Sequence, residues 1–331
     1  MQESNAALAQ RSRVLVTGAS GFVGRALVER LVADRRHSVR AAVRTPMTDL
    51  PAAVEQVRIA GIDATTEWRA ALAGVEFVVH AAARVHVMRE RHHDPLGAFR
   101  EVNVAGTLRL AQEAAAAGVR RLVFLSSIKV NGESTAPGHP FREDDAPAPR
   151  DPYGISKREA EDGLLALART TAMQVVIVRP PLVYGPGVRA NFASLMRLVR
   201  SGMPLPLGAI DNRRTFVALD NLVDLIVTCI DHPAAANEIF LAGDAEDLST
   251  TDLLRRLGAA LGRPARLVPI PARWIESAAA LIGRRAIADR LCGSLQLDID
   301  KAARVLGWKP PCDVDAALRA TAARFLASSG R

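Results

Sequence analysis

Tyrosine occurs twice in these 331 residues, at Tyr153 and Tyr184, and lysine four times, at Lys129, Lys157, Lys301 and Lys309. Arginine supplies the rest of the 43 basic residues. A pattern that needs a tyrosine and a lysine at fixed spacing is therefore hard to meet by accident. Cysteine is nearly as sparse: Cys229, Cys292 and Cys312 form no CxxC pair and leave an odd one out. That reads as free thiols in a reducing compartment, with no metal site to propose. No apolar run of signal-peptide length precedes Val14, and no stretch approaches the roughly 18 unbroken apolar residues of a membrane span. The expectation is a cytoplasmic protein with no membrane span.

Aromatic residues make up only 4% of the chain, and no dense basic run interleaves with them. The net charge of +8 is carried by single arginines and by pairs such as Arg35-Arg36, Arg120-Arg121, Arg213-Arg214 and Arg284-Arg285. This lacks the footprint of a nucleic-acid binder and fits solvated helix faces with a few anion contacts. With 49% hydrophobic and 24% charged residues, disorder is excluded as the main state. A chain of this length buries a core as one large or two ordinary domains.

What is present is alternation. Short β-branched runs at 13–17, 39–43, 56–60, 75–80, 121–126 and 174–179 are separated by apolar-periodic or Ala-rich stretches at 22–34, 66–73, 94–117 and 151–171. Strands apolar throughout, alternating with helices, predict a parallel sheet covered on both faces: an α/β, doubly wound (Rossmann) fold. Residues 133–150, rich in proline and charge, predict an exposed loop. Beyond 180 the pattern loosens, with helices expected at 190–201, 220–231, 250–261, 271–283 and 313–328 and short strands near 215–218, 238–241 and 266–270. This predicts a dinucleotide-binding domain over 11–180, with a return at 215–245. A smaller C-terminal α/β substrate domain, 181–214 and 246–331, closes a cleft beside it.

Val14-Leu15-Val16 leads into TGASGFVG, residues 17–24, and then a helical run. A glycine turn between a first strand and a first helix is where a dinucleotide pyrophosphate sits. Gly18 permits the tight turn, Gly21 lets backbone approach phosphate, and Gly24 lets helix pack on strand. The N–H groups of Phe22 and Val23 then face the anion. The plain alternative is a strand-turn-helix with no ligand. At the end of the second strand an acid would grip the ribose hydroxyls, but the sequence there is VRAAVRTP. Arg44 can instead pair with a 2′-phosphate, which favours NADP over NAD. Asp63, after the third strand, is placed either to hydrogen-bond the adenine amino group or to cap a helix.

DPYGISK sets Tyr153 and Lys157 four apart at the start of a helix, on one face. With so few of each residue, composition alone gives such a pair about one time in forty. A nearby ammonium stabilises phenolate and suits the pair to proton transfer; an exposed Tyr–Lys pair is the bland alternative. Upstream, the strand 121–126 ends in Ser126-Ser127, at the edge that opens on a ligand crevice in this fold. A serine hydroxyl there could bond the oxygen that Tyr153 deprotonates. Asn103, in the helical EVNVAGT, bonds either backbone or water near the site, or serves packing.

These residues together resemble the extended short-chain dehydrogenase/reductase family, in its nucleotide-sugar epimerase and dehydratase branch. The markers are TGASGFVG (17–24), HAAA (80–83), NVAGT (103–107), FLSSIKVNG (124–132), YGISK (153–157), RPPLVYGPG (179–187), RRTFVALDNLVD (213–224) and LGWKP (306–310). The resemblance implies NAD or NADP, a UDP- or dTDP-sugar substrate, and hydride transfer at C4. It implies Ser127, Tyr153 and Lys157 as the catalytic trio and Ala81, Ala82, Ala83, Asn103 and Pro180 along the cofactor. Asn191, Leu205, Leu207 and Arg214 fall where related enzymes hold the nucleotide diphosphate. It also implies a homodimer through the helices at 94–117 and 151–171.

Departures narrow the reading. The 4,6-dehydratases carry an Asp-Glu pair after the catalytic threonine; Ile128 and Lys129 stand there, so dehydration is not implied. Asn131 replaces the tyrosine of the usual VYG, and Leu182 an asparagine that contacts substrate. An arginine expected before LQLDIDK has no match in register, Arg290 lying close. The SSIKVNG variant is closest to UDP-N-acetylhexosamine 4-epimerases and 4-keto-sugar reductases, where Lys129 would reach substrate. A dihydroflavonol-reductase-like carbonyl reductase and a non-enzymatic dinucleotide-binding regulator are the competing readings.

Overall fold

The computed structural model describes residues 11–85, 94–136 and 138–329. The first ten residues, which enter the expectation of no secretory signal, lie outside them. Among the described residues nine strands follow in chain order: β1 (Arg13–Thr17), β2 (Ser38–Val43), β3 (Glu55–Arg58), β4 (Phe77–His80), β5 (Arg121–Leu125), β6 (Gln174–Arg179), β7 (Leu182–Tyr184), β8 (Phe216–Ala218) and β9 (Ile239–Leu241). Seven form one sheet in the order β3-β2-β1-β4-β5-β6-β9, every pair parallel. Because all strands run one way, their carboxyl ends share one edge. The order reverses between β1 and β4, which opens a crevice at that edge.

The apolar runs are continuous because both faces of the sheet are covered. Val14 and Val16 point into one core cluster and Leu15 into the other; Val176 and Val178 likewise oppose Val175 and Ile177. The first face packs on α1 (Phe22–Asp34) and α7 (Leu219–Asp231). The second packs on α2 (Arg69–Leu72), α4 (Thr107–Ala116) and α5 (Pro152–Thr170). The helical stretch expected at 94–117 is broken: α3 (Pro95–Arg100) passes into a π-helical turn, Glu101–Gly106, before α4. Gly106 accounts for part of this, since a Cβ there would lie 2.9 Å from the main-chain nitrogen of Asp63. A π-turn inside a helix commonly marks a functional site.

A separate core lies in the C-terminal region, built from α6 (Ala190–Ser201), α8 (Thr250–Ala260), the two-stranded β7–β8 sheet and α12 (Val314–Ser329). Two helices that the sequence pattern did not indicate, α10 (Arg285–Cys292) and α11 (Asp300–Leu306), follow α9 (Ala272–Leu281). The strand expected at 266–270 does not form; only an isolated bridge joins Leu205 to Leu267. The loop 133–150 is only partly free. Thr135 N donates to the Ser294 carbonyl at 2.9 Å and Phe141 N to the Gln296 carbonyl at 2.8 Å, so the loop is laid against the chain at 294–298.

Candidate functional site

The turn after β1 is shaped by what glycine lacks. Gly18 has φ +73°, and a Cβ there would meet the Ala82 main-chain nitrogen at 2.7 Å. A Cβ on Gly24 would lie 2.2 Å from the Gly18 carbonyl oxygen. The two bare positions let the turn, the start of α1 and the end of β4 pack backbone to backbone. Gly21, extended, caps α1 without a side-chain hydrogen bond, and the first turn carries no acid. The N–H groups of Phe22 and Val23 therefore face the crevice free of any competing carboxylate. A diphosphate fits this cradle on charge and on space.

The floor of the crevice is held by a buried imidazole. Thr17 Oγ1 lies 2.7 Å from His80 Nδ1, and His80 Nε2 2.9 Å from Thr107 Oγ1. Burial, with Lys157 nearby, pushes His80 down to about 3, so it stays neutral. Ala81, Ala82 and Ala83 follow, half-buried along the crevice. Asn103, in the π-turn, is fully engaged: its amide donates to the Arg84 carbonyl at 3.0 Å and to Ser156 Oγ at 3.0 Å, and its oxygen accepts from Arg84 N at 2.8 Å. Of the roles weighed for it, the backbone bond is the one present, and Asn103 fixes the segment after Ala83 rather than reaching a ligand.

Tyr153 and Lys157 sit in the first turns of α5, whose N-cap Asp151 accepts from Gly154 N at 2.7 Å. Gly154 leaves 3.0 Å between a would-be Cβ and the Lys129 carbonyl oxygen, so α5 presses on the 3-10 turn Ile128–Val130 that follows Ser127. This brings Ser127, Tyr153 and Lys157 together at the carboxyl ends of β5 and β6. Lys157 Nζ donates to the Leu125 carbonyl at 2.7 Å and lies 4.3 Å from the centroid of the Phe124 ring. Burial pulls Lys157 down to about 7, with Glu161 opposing. Burial and then Asp151 push the Tyr153 phenol up.

Ser126 and Ser127 have different employment. Ser126 Oγ donates to Glu161 Oε1 at 2.5 Å inside the protein. Ser127 is half-buried, and among the described residues its hydroxyl accepts only a long contact from Lys129 N at 3.3 Å. Glu161 is bound bidentately by Arg179, at 3.0 and 2.6 Å, both side chains essentially without solvent. Arg179 continues to Asn131 Oδ1 at 3.0 Å and the Glu143 carbonyl at 3.1 Å. Asn131, in the place of a tyrosine, thus ties the 3-10 turn to the loop beyond it. Glu161, Arg179 and Asp151 were missed from sequence. Glu161 could have been found, since it follows Lys157 by one helical turn on the same face.

Several expected ligand contacts are placed otherwise. Lys129 is ion-paired with Asp151 and lies 3.4 Å from Glu133, so its ammonium is held at the α5 cap rather than offered to a substrate. Leu205 and Leu207 bury their side chains in the C-terminal core. The Leu205 main chain is also used, by Arg266 and Val268. The Leu207 carbonyl accepts from Thr251 Oγ1 at 2.6 Å, so any ligand contact from these two would have to run through the Leu207 N–H. Asp63 accepts from Thr65 N at 2.8 Å and from the Thr65 and Thr66 hydroxyls, capping a turn, which holds its carboxyl below the usual range. The Pro180 carbonyl is taken by Ile128 N at 3.0 Å. Arg44 stands exposed just past β2, and Asn191 exposed in the first turn of α6.

Arg214 lies on the C-terminal side, half-buried, donating to the Gly293 carbonyl at 2.7 Å. Burial, and then Arg290, lower its pKa, and neither arginine has an ion-pair partner among the described residues. A half-buried guanidinium that feels a second positive charge and has no ion pair among the described residues suits an anion. Asn212 holds this end of α10 by donating to the Leu291 and Gly293 carbonyls at 3.2 and 2.8 Å. Arg290, out of register in sequence, is brought by the fold within electrostatic range of Arg214.

A family model described as the NAD dependent epimerase/dehydratase family matches residues 14–243. The chain is 48% identical over 319 residues to a UDP-glucose 4-epimerase of Vibrio cholerae, covering 96% of this chain and 97% of that protein. It is 31% identical over 314 residues to a UDP-glucose 4-epimerase of Mycolicibacterium smegmatis, covering 90% and 93%. Among solved structures, MoeE5 in complex with UDP-glucose and NAD aligns with a TM-score of 0.75 and 26% identity, over 96% of this chain and 100% of that one.

The buried network behind the site yields a direct test. Glu161→Ala leaves the Arg179 guanidinium charged in the core and is expected to cost about 3–5 kcal/mol in urea denaturation. Replacing both residues, as in Glu161→Gln with Arg179→Met, is expected to cost clearly less.

Proposed function

The chain belongs to the NAD-dependent epimerase/dehydratase family, and from that premise we propose that it inverts C4 of a UDP-hexose, with NAD held through the cycle. The observation that carries this reading is the setting of Tyr153 and Lys157, side by side on α5 where that helix meets the turn after β5 and the glycine cradle opens. Residues 11–180, with the return at 215–245, hold the dinucleotide in this proposal, and 181–214 with 246–331 hold the sugar nucleotide. The free N–H groups at Phe22 and Val23 receive the cofactor diphosphate, with Gly18, Gly21 and Gly24 giving it room. Arg214 and Arg290 receive the diphosphate of the substrate.

Bound NAD supplies a reversible hydride acceptor for C4, so a 4-keto sugar can be reduced on either face without outside reductant. Tyr153 Oη removes the C4 hydroxyl proton and returns it. Ser127 Oγ bonds the same oxygen and polarises it. Lys157 favours phenolate through its positive charge and is aimed by the Leu125 carbonyl. Its own charge is sustained by Glu161, which Arg179 holds in place.

The same residues would serve reduction of a UDP-4-keto-6-deoxyhexose. The Vibrio cholerae relative, an epimerase across nearly the whole chain, supports epimerisation instead. A half-buried Arg214 with Arg290 acting on it has no use in a dihydroflavonol-reductase-like enzyme, and an intact Tyr/Lys pair has none in a regulator. NAD is the cofactor of the solved neighbour; Arg44 makes NADP the second cofactor to include in the assay. A cytoplasmic location belongs to the same proposal and is supported by three free cysteines. So does a homodimer through α3, α4 and α5, which sedimentation checks as twice the mass of one chain.

Incubated with UDP-glucose or UDP-N-acetylglucosamine and no added reductant, the protein is expected to produce the C4 epimer. Stoichiometric NADPH oxidation with a UDP-4-keto-6-deoxy sugar would instead make it a reductase. Tyr153→Phe is expected to lower kcat by about 10²–10⁴, and Arg214→Ala to weaken UDP binding at least tenfold, by titration calorimetry.

Lys129 acts on pH in this reading. Asp151 opposes phenolate formation at Tyr153, and Lys129 neutralises Asp151. Lys129→Met should raise the Tyr153 pKa and move the acid limb of kcat/KM upward by roughly 0.5–1 pH unit. Lys129→Arg should restore it, and an unmoved profile would separate Lys129 from the phenol.

A further inference from the structure

Helix α9 is apolar on two separate faces. Ala272 and Ile275 pack against the C-terminal core, Ala279 is half-buried on the same side, and no residue of the helix is fully buried. Trp274, Ala278 and Leu281, spaced i, i+4 and i+7, form a second stripe that is exposed. A stripe facing water is the reverse of what a surface helix normally presents. It continues over the turn through Ile282 and Gly283, the latter at φ +68°, to Ile287 of α10. Nine large apolar side chains are exposed among the described residues. Four of them fall here: Trp274 at 64%, Leu281 at 89%, Ile282 at 69% and Ile287 at 48%.

Charge selects the partner. The hairpin carries Arg273, Arg284, Arg285 and Arg290 against Glu276 and Asp289. Arg284 and Arg285 sit at the turn itself, beside Leu281 and Ile282, and have no ion-pair partner among the described residues. Every residue from 280 to 287 is exposed, so the apolar tip stands out from the body rather than lining a groove. A second copy of the chain would bring this basic patch against itself across a two-fold axis, which repels.

We propose that the α9–α10 hairpin docks the protein on an anionic phospholipid bilayer. Trp274, Leu281, Ile282 and Ile287 enter the boundary between headgroups and acyl chains, and Arg284 and Arg285 meet lipid phosphates. Apolar burial and electrostatic attraction act together in such shallow insertion, and arginine keeps its charge in the headgroup layer while its stem is buried. The inner end of the hairpin is pinned by Asn212 and by Thr250, whose hydroxyl donates to the Leu291 carbonyl at 2.6 Å. The tip is thus presented on a fixed base, on the same helix that carries Arg290. Docking is independent of the activity assigned above.

The test is co-sedimentation of the full chain with vesicles of phosphatidylcholine alone or with one-third phosphatidylglycerol. Binding is expected only to the anionic vesicles and is expected to weaken with salt. Trp68 and Trp308 are 0% and 6% exposed, so a blue shift of tryptophan emission on binding reports Trp274, and Trp274→Phe should remove it. Arg284→Glu with Arg285→Glu should lower partitioning by at least about thirtyfold, from about fivefold for each arginine lost. Leu281→Ser with Ile282→Ser should lower it at least tenfold. Both double variants should retain the far-ultraviolet circular dichroism and the sugar-nucleotide turnover of the parent. Absence of vesicle binding by the parent, or binding unchanged in both variants, would overturn the proposal. So would loss of an oligomer in the Leu281/Ile282 variant without vesicle binding, which would assign the patch to a protein interface.

Discussion

Glu161 and Arg179 meet where water does not reach, and much of the site is arranged around that meeting. A buried carboxylate is tolerated only when its lone pairs are filled and its charge is answered. Arg179 fills two positions and Ser126 a third. The cost of burying both charges is thereby offset by bonds that each reach a different element. Glu161 lies on α5, Arg179 ends β6, Ser126 follows β5, and Asn131 closes the turn between them. Four segments converge on one pair of charges. Ser127, next to Ser126 but outside the network, is left with a hydroxyl to spare.

The electrostatics of Tyr153 and Lys157 follow from the same interior. Burial disfavours charge on either group: it raises the phenol and lowers the ammonium. Both shifts oppose the phenolate–ammonium pair that proton transfer needs. The surroundings counter them from two directions, Glu161 supporting the charge on Lys157 and Lys129 compensating Asp151 beside the phenol. A lysine that the sequence pattern offers as a substrate contact is better understood as part of the charge balance at the helix cap.

How far the fold is legible in the sequence depends on the range of the interactions that make each part. The six N-terminal strands and α1 follow from local apolar runs and a glycine turn, and they form where the pattern puts them. The break at Glu101–Gly106 was not legible, because it depends on Gly106 lying against Ile62 and Asp63, some forty residues away in the chain. The strand expected at 266–270 fails for the opposite reason: its alternation is real, but only scattered bonds from Leu205 and Gly208 reach it, too few for a ladder. Within the site, the Tyr153–Lys157 spacing was visible because a helix converts a four-residue interval into adjacency. Arg214 and Arg290 are separated by most of the C-terminal region, and no local pattern relates them. Leu205 and Leu207 matched a family position yet bury their side chains, since a sequence position says nothing about which way a side chain faces.

Sequence by itself determined the α/β alternation, the glycine cradle and the pairing of Tyr153 with Lys157 on one helix face. Each of these is written in residue type and short spacing, where backbone sterics and helical period act locally. Tertiary structure alone decided which serine is free, where Lys129 spends its charge, and which arginine comes within electrostatic range of Arg214. It also decided that one helix of the C-terminal region keeps an apolar stripe in water. Those outcomes depend on long-range approach and on burial, and burial is a property of the assembled interior that no single segment carries.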